Sequence, residues 1–416
     1  MRSKTRVLFI NHSVRDGGPG RSLFYILKYL DKSRIDPYVL VPRKDVFTDM
    51  ISNEGLGDRI IVERKFPDNI LRPRFNALNI VHEGRFPSVF YRILKITSVL
   101  LNVFDLILFV IMSPFLIRGK RIDLIYSNGT LAKIVGAIIG FVNNRPVIWH
   151  VRNIQQTRIL RFTINLLSSL PMVKKVICVS HATAKQFYYS RDKLVVIYNG
   201  IDAEDFNPDK VEGILRKEYK VPEGTIILGS VGRVVPRKGY EYLIRAAGVV
   251  CNHLGKDKSR IRFVVVGDTP YFFGNNHLEY LRELVKKLNL EDVFIFTGYR
   301  KDVRPYLKDF DIFVITSNYP DPFPRSVIEA MAFSLPVVGF RVGGIVEAVE
   351  DGVTGILSDP GNVDQMAFAM LKLIQDRFLR SSMGRAGRER VKSMFSAREL
   401  TREIEKIILG IAEVYS

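Results

Sequence analysis

Cysteine is almost missing from the chain. Cys178 and Cys251 are the two thiols in 416 residues, too few for a disulfide framework and without metal-ligand spacing, so a reducing compartment is the expected home. Low-complexity tracts and internal repeat periods are absent, which excludes solenoids and fibres. The opening MRSKTRVLFINHS holds only a short apolar run that ends in polar residues; it is expected to be a first strand and not a signal peptide. Aromatic–basic RNP patterns, zinc-ligand spacings and helix-turn-helix signatures are also lacking, so nucleic acid is not the expected partner despite a basic composition.

Acidic residues are scarce in one half only. Residues 1–200 carry 31 Lys and Arg against 13 Asp and Glu, whereas residues 201–416 carry 31 against 30. A field that one-sided suits an extended anionic partner such as a membrane surface. From Ile96 to Ile117 the one charged residue is Asp105, and the run reaches the length of a membrane span. A crossing there would separate VLFINHSVRDGGPG from PVIWHVRN, which read as strand ends of one sheet. The remaining choices are a buried helix pair or an apolar face dipping into the interface, with Arg92, Lys95, Arg118, Lys120 and Arg121 meeting lipid phosphates. The interfacial reading is preferred, over a segment of about 85–121.

Apolar runs alternate with helical stretches, the βαβ pattern of doubly wound parallel sheets. The expected strands are 7–11, 38–42, 123–127, 146–150, 175–180 and 194–200, then 226–232, 262–267, 293–298, 312–317 and 336–340. Two parallel-sheet α/β domains follow, 1–200 and 201–395, divided near NGIDAEDFNPDK. The end, 396–416, reads as an amphipathic helix that packs back towards the first domain.

Three stretches stand at strand ends, the ligand side of such sheets. In DPFPRSVIEAMAFSLPVVGF, 321–340, Pro322 and Pro324 forbid a continuous helix and hold Asp321 in a loop. A helix starting around Pro324 to Ser326 then carries Glu329 in its second turn, with free first-turn NH groups facing the loop. In GRVVPRKGYEYLI, 232–244, Arg233 and Lys238 suit a diphosphate, the first as a fork and the second as a point charge. In RDGGPGRSLFYILKYL, 15–30, glycines open a helix whose positive end suits phosphate. His150 ends PVIWH on the same edge of the first sheet, while Trp149 points the other way into the core.

These stretches, with FVVVGD, FTGYRKDVRPYLKDFDIFVITS, RVGGIVEAVEDGVTGIL, CVSHATA and VIYNGID, resemble in order the retaining GT-B glycosyltransferases of family 4; 60–120 is the least matched part. The resemblance implies two Rossmann-like domains facing a central cleft, a nucleotide-diphosphate sugar donor held mainly by the second domain, no cofactor and no essential metal. Carried over by position, the paired acids of the family fall on Asp321, for hydroxyls of the donor sugar, and Glu329, for the ribose. Gly17 and Gly18 would lie against the diphosphate, Arg233 and Lys238 would neutralise it as it leaves, and His150 would hold a sugar hydroxyl. Backbone at Gly298, Tyr299 and Arg300 would meet the base, and the NH groups of Phe323, Pro324-flanked Arg325 and Ser326 would face sugar and phosphates. At Asp321 the family usually has Glu, one methylene longer.

No nucleophile with a paired base is evident, so the expected reaction is a front-face displacement with retention, the departing phosphate helping to deprotonate the acceptor; the resemblance implies that the group moved is a hexosyl and that no metal takes part. The apolar segment and the basic first half point to a lipid-linked or saccharide acceptor of polysaccharide or lipopolysaccharide biosynthesis, at the cytoplasmic face of a membrane. The alternatives are a soluble transferase acting on a small sugar and a non-catalytic sugar-nucleotide-binding protein.

Overall fold

The computed structural model describes residues 4–12, 17–67, 69–70, 88–270 and 277–415. The chain divides into two compact units. One comprises 1–179, 183–197 and 397–416; the other comprises 180–182 and 198–396.

The first unit is built on a seven-stranded, all-parallel sheet among the described residues, in the order β3-β2-β1-β4-β5-β6-β7. The strands are β1 Thr5–Asn11, β2 Ile35–Val41, β3 Ile60–Val62, β4 Leu124–Asn128, β5 Val147–Val151, β6 Val173–Cys178 and β7 Leu194–Val196. Its central strands are apolar runs buried on both faces, as a sheet covered by helices on each side requires. Helices α1 Gly18–Tyr29 and α2 Val46–Ile51 pack together. The closing helix, Ala397–Tyr415, lies along α1, where Arg398 sits 4.9 Å over the Tyr29 ring. Helices α3 Ser88–Gly119, α4 Thr130–Val142 and α5 Arg158–Ser168 contribute Phe109, Ile117, Val135 and Ile164 to one core cluster with Trp149 and Val176.

The segment 96–117 lies within one helix, α3, that runs through Pro114, and not in the helix pair that was the alternative to an interfacial apolar face. The proline cannot donate to the Val110 carbonyl, and the Ser113 hydroxyl supplies that bond at 2.7 Å. The polarity of α3 is inverted. Ser98, Asn102 and Ser113 are buried, whereas Ile96, Leu100, Phe104, Ile107, Ile111 and Phe115 are exposed. By length and composition Arg92–Gly119 could cross a membrane, yet the strand that follows it lies beside β1 in the same sheet. Residues 85–87 of the expected membrane-contact segment lie outside the described residues.

The second unit has a six-stranded parallel sheet, β10-β9-β8-β11-β12-β13. Its strands are β8 Ile226–Val231, β9 Ile261–Val266, β10 Phe294–Gly298, β11 Ile312–Ile315, β12 Val337–Phe340 and β13 Gly355–Ser358. The main helices are α6 Tyr240–Leu254, α7 His277–Lys287, α8 Arg325–Ala332, α9 Ile345–Ala348, α10 Val363–Gln375 and α11 Arg377–Met394. Both sheets reverse direction of growth once, at β1/β4 and at β8/β11, the switch points where open α/β sheets bind ligands.

Three expectations for strands need correction. The run 194–200 forms ladder only over Leu194–Val196, because Asn199 and Gly200 turn to serve the second unit: Asn199 Nδ2 donates to the Phe323 carbonyl at 3.1 Å, and the Gly200 carbonyl accepts from Arg325. Strands β3 and β13 were not expected. They are edge strands of three and four residues, too short to show a period.

Candidate functional site

In the second unit the polar side chains gather at the β8/β11 switch point. After β8, Gly232 leads to Arg233, and a single 3-10 turn, Pro236–Lys238, ends at Gly239. Gly239 has φ +66°, and a Cβ there would stand 2.2 Å from the Thr316 carbonyl. Only glycine fits, and the close approach lets Thr316 Oγ1 donate to the Lys238 carbonyl at 2.9 Å. Lys238 is thereby pinned across to the end of β11. Its Nζ lies 2.7 Å from Asp321 Oδ2.

The loop carrying Asp321 is held from behind. A Cβ on Gly343 would stand 2.3 Å from the Asp321 carbonyl, and Gly344 N–H donates to that carbonyl at 2.7 Å. Helix α8 starts after its N-cap Pro324, as proline's fixed φ and missing donor favour. Glu329 is buried in its second turn, with Arg325 Nη2 at 3.3 Å; Arg325 Nη1 also donates to the Gly200 carbonyl at 3.0 Å. Two buried acids therefore each meet one cation of the same unit, Asp321 with Lys238 and Glu329 with Arg325.

Sequence reasoning missed two members of this cluster. Arg237 stands 5.4 Å over the ring of Tyr319, and desolvation together with the Asp321 charge pushes the Tyr319 phenol up to about 12. Both flank residues already singled out, so position next to Lys238 and Asp321 was the available signal. The Phe323 ring packs in an aromatic cluster, tilted against Tyr198 at 5.1 Å and edge-on to Phe395 at 5.3 Å. Ser326 is half-buried in the first turn of α8. Gly298 ends β10 at φ +74°, Tyr299 is exposed, and the Arg300 side chain is engaged by Glu218 and by the Tyr219 hydroxyl at 3.0 Å.

In the first unit a buried network spans the ends of β1, β4 and β5. Asn128 Nδ2 donates to Asn11 Oδ1 at 3.0 Å and to the Pro19 carbonyl at 3.2 Å, tying the switch point to the first turn of α1. Arg152 Nε donates to Asn128 Oδ1, and its Nη2 lies 3.2 Å from His150 Nδ1. A guanidinium only donates, so Nδ1 is the acceptor. The Tyr126 hydroxyl, bonded to the same nitrogen, must donate as well, and the ring proton sits on Nε2. Burial first, then the charges of Arg152 and Lys133, hold the His150 pKa well below the usual histidine range. His150 is thus a neutral N–H donor whose Nε2 has no partner among the described residues. Asn11, Tyr126, Asn128 and Arg152 were not foreseen; polar residues closing three apolar strands were their one signal.

Gly17 precedes α1 with an ordinary extended backbone, φ −117°, and a Cβ there would meet only Pro19 at 3.9 Å. Gly18 is exposed in the first turn. Packing among the described residues places no demand for a bare backbone at Gly17. Among the described residues no three His, Cys, Asp or Glu come together to hold a metal ion.

Two family models match the chain, one for each half: Glycosyltransferase Family 4 over 16–205 and Glycosyl transferases group 1 over 212–390. A D-inositol 3-phosphate glycosyltransferase of Kribbella flavida is 34% identical over 47% of this chain and 46% of its own. The capsular polysaccharide biosynthesis glycosyltransferase CapM of Staphylococcus aureus is 25% identical over 71% of this chain and 79% of its own. The chain spans about half the length of the first curated relatives it matches. Among solved structures, Anabaena HepE, crystallised with UDP and glucose, superposes with TM-score 0.76 at 23% identity, covering 97% of this chain and 99% of that one. The sucrose-phosphate synthase of Thermosynechococcus elongatus gives TM-score 0.74 at 19% identity, covering 99% and 100%. These likenesses establish the GT-B fold.

Proposed function

The chain belongs to the group 1 glycosyltransferases of family 4, and from that premise we propose that it moves a sugar from a nucleotide-diphosphate sugar to a lipid-linked or saccharide acceptor in cell-surface polysaccharide biosynthesis. One observation carries the reading: Arg233, Arg237 and Lys238 lie along the loop after β8 while Asp321 and Glu329 occupy the loop and helix after β11. Cations of that kind fit a diphosphate and the acids fit the hydroxyls of two sugar rings.

Breaking the bond between the anomeric carbon and the phosphate oxygen leaves the electron pair on the diphosphate. Lys238 and Arg233 stabilise that charge as it develops. Glu329, oriented by Arg325, accepts from ribose hydroxyls, and Asp321 accepts from the donor sugar once phosphate oxygens draw Lys238 away. His150, held as an N–H donor, serves a sugar hydroxyl and does not act as a base. The acceptor hydroxyl passes its proton to the leaving phosphate on the same face, so configuration is retained. No metal is assigned a role.

The outward apolar side of α3 and the basic flanks Arg92, Lys95, Arg118 and Arg121 support peripheral binding to the cytoplasmic face of an anionic membrane, and with it a lipid-linked acceptor. Thermal-shift titration with UDP, GDP and ADP sugars tests the donor claim. One nucleotide class should raise the melting temperature of the wild type and fail with Glu329→Ala; no shift with any class contradicts it.

A further inference from the structure

Helix α3 does not carry its exposed apolar surface alone. On α5, Ile159 (83% exposed), Phe162 (51%) and Leu166 (52%) repeat at i, i+3 and i+7 and form one outward stripe. At the end of α4, Ile138, Phe141 (67%) and Val142 are exposed too. The three helices are neighbours, α3 against α4 and α4 against α5. Asn143, just past α4, donates from Nδ2 to Ser113 Oγ at 2.8 Å, which fixes the end of α4 beside the Phe115 end of α3. All three bury their other sides in the same core cluster, so their outer surfaces face one way.

Charge identifies the occupant. Exposed Arg92, Lys95, Arg118, Arg121, Arg158 and Arg161 border the apolar surface, and the three helices together contain one acid, the half-buried Asp105. Two copies of this chain placed face to face would bring those cations together, which disfavours a dimer. A bilayer rich in anionic lipid meets both needs, acyl chains for the stripe and phosphates for its border. Cations stand at both ends of α3. A helix lying along the interface puts both ends among headgroups.

We propose that α3, the end of α4 and the outer side of α5 form a single monotopic membrane face, with α3 in the plane of an anionic bilayer. The proposal rests on the lipid-facing reading of α3 given above and extends it to α4 and α5. It makes the first unit, and not one helix, the membrane anchor.

Single tryptophans placed at Ile111, Phe141 and Phe162, over the constant background of buried Trp149, are read with vesicles of phosphatidylcholine and phosphatidylglycerol carrying brominated acyl chains. All three probes should be quenched, more strongly by bromine near the headgroup than by bromine near the bilayer centre. Ile159→Glu/Phe162→Glu should weaken vesicle partitioning at least tenfold and leave the nucleotide-dependent thermal shift unchanged. Quenching at Ile111 without quenching at Phe141 and Phe162 overturns the three-helix face while sparing the reading of α3. Protein that stays in the supernatant with unquenched probes overturns both. A stable dimer in vesicle-free buffer that shields the Phe162 probe assigns the face to a second copy, and also overturns the proposal.

Discussion

Lys238 Nζ and Asp321 Oδ2 are 2.7 Å apart, with the lysine side chain 19% and the aspartate 8% exposed. The pair links the loop after β8 to the loop after β11. Losing one partner strands the other charge in a dry place, a loss on the order of 3 to 5 kcal/mol. Asp321→Asn should therefore lower stability in urea unfolding by a few kcal/mol. Adding Lys238→Met to Asp321→Asn should restore most of that loss; an additive double variant means the two charges are not coupled.

The second acid is expected to act on nucleotide binding. Glu329→Gln keeps the shape of the side chain and removes the charge that faces Arg325. Calorimetry should show nucleotide-diphosphate affinity falling by about tenfold or more, since one charge-assisted hydrogen bond contributes roughly 1.5 to 3 kcal/mol.

Placement of the acid loop depends on glycine. A Cβ on Gly344 would stand 2.1 Å from the Pro322 carbonyl oxygen and 2.9 Å from Phe323 Cα, all backbone that cannot step aside. Gly344→Ala should cost about 1 to 3 kcal/mol of stability and, by shifting Asp321, lower kcat/KM by about a hundredfold. Gly248→Ala is the control: the nearest atom to its Cβ is 4.0 Å away, on a helix, and it should be neutral or slightly stabilising.

The strand-end positions of Asp321, Lys238 and His150 were legible because long buried strands announce themselves as apolar runs and their carboxyl ends face ligand. Glu329 was legible because two prolines fix where α8 begins. What escaped was whatever depends on contact across sequence. The pairing of Glu329 with Arg325 has helical spacing, but nothing in spacing tells a buried ion pair from a solvated one. The Asn11–Asn128–Arg152–His150 network joins residues more than a hundred positions apart. The inverted polarity of α3 was equally invisible, because a run with one charge has no polar face to read; which side its serine and asparagine occupy is decided by contacts distant in sequence, Asn143 just past α4 for Ser113 and the Ile70 carbonyl for Asn102.

One buried group works against stability. Lys133 is fully buried on α4, its Nζ lacks a hydrogen-bond partner among the described residues, and desolvation pushes its pKa down to about 8. Below that value the ammonium is present folded and unfolded alike, and folding carries the full desolvation cost. Between about pH 8 and the ordinary lysine value near 10.4 the unfolded chain holds one more proton, so stability should rise with pH. Lys133→Met should remove that rise and stabilise the protein at pH 7 by a few kcal/mol. Urea unfolding at pH 7 and pH 9.5, wild type against variant, reads both effects.

The most direct measurement is release of nucleotide diphosphate from UDP-, GDP- and ADP-sugars, by the wild type and by Glu329→Ala and Lys238→Met. The account predicts turnover of one nucleotide class, reduced at least a hundredfold in both variants. Equal turnover in variants and wild type, or no release from any of the three classes, contradicts it.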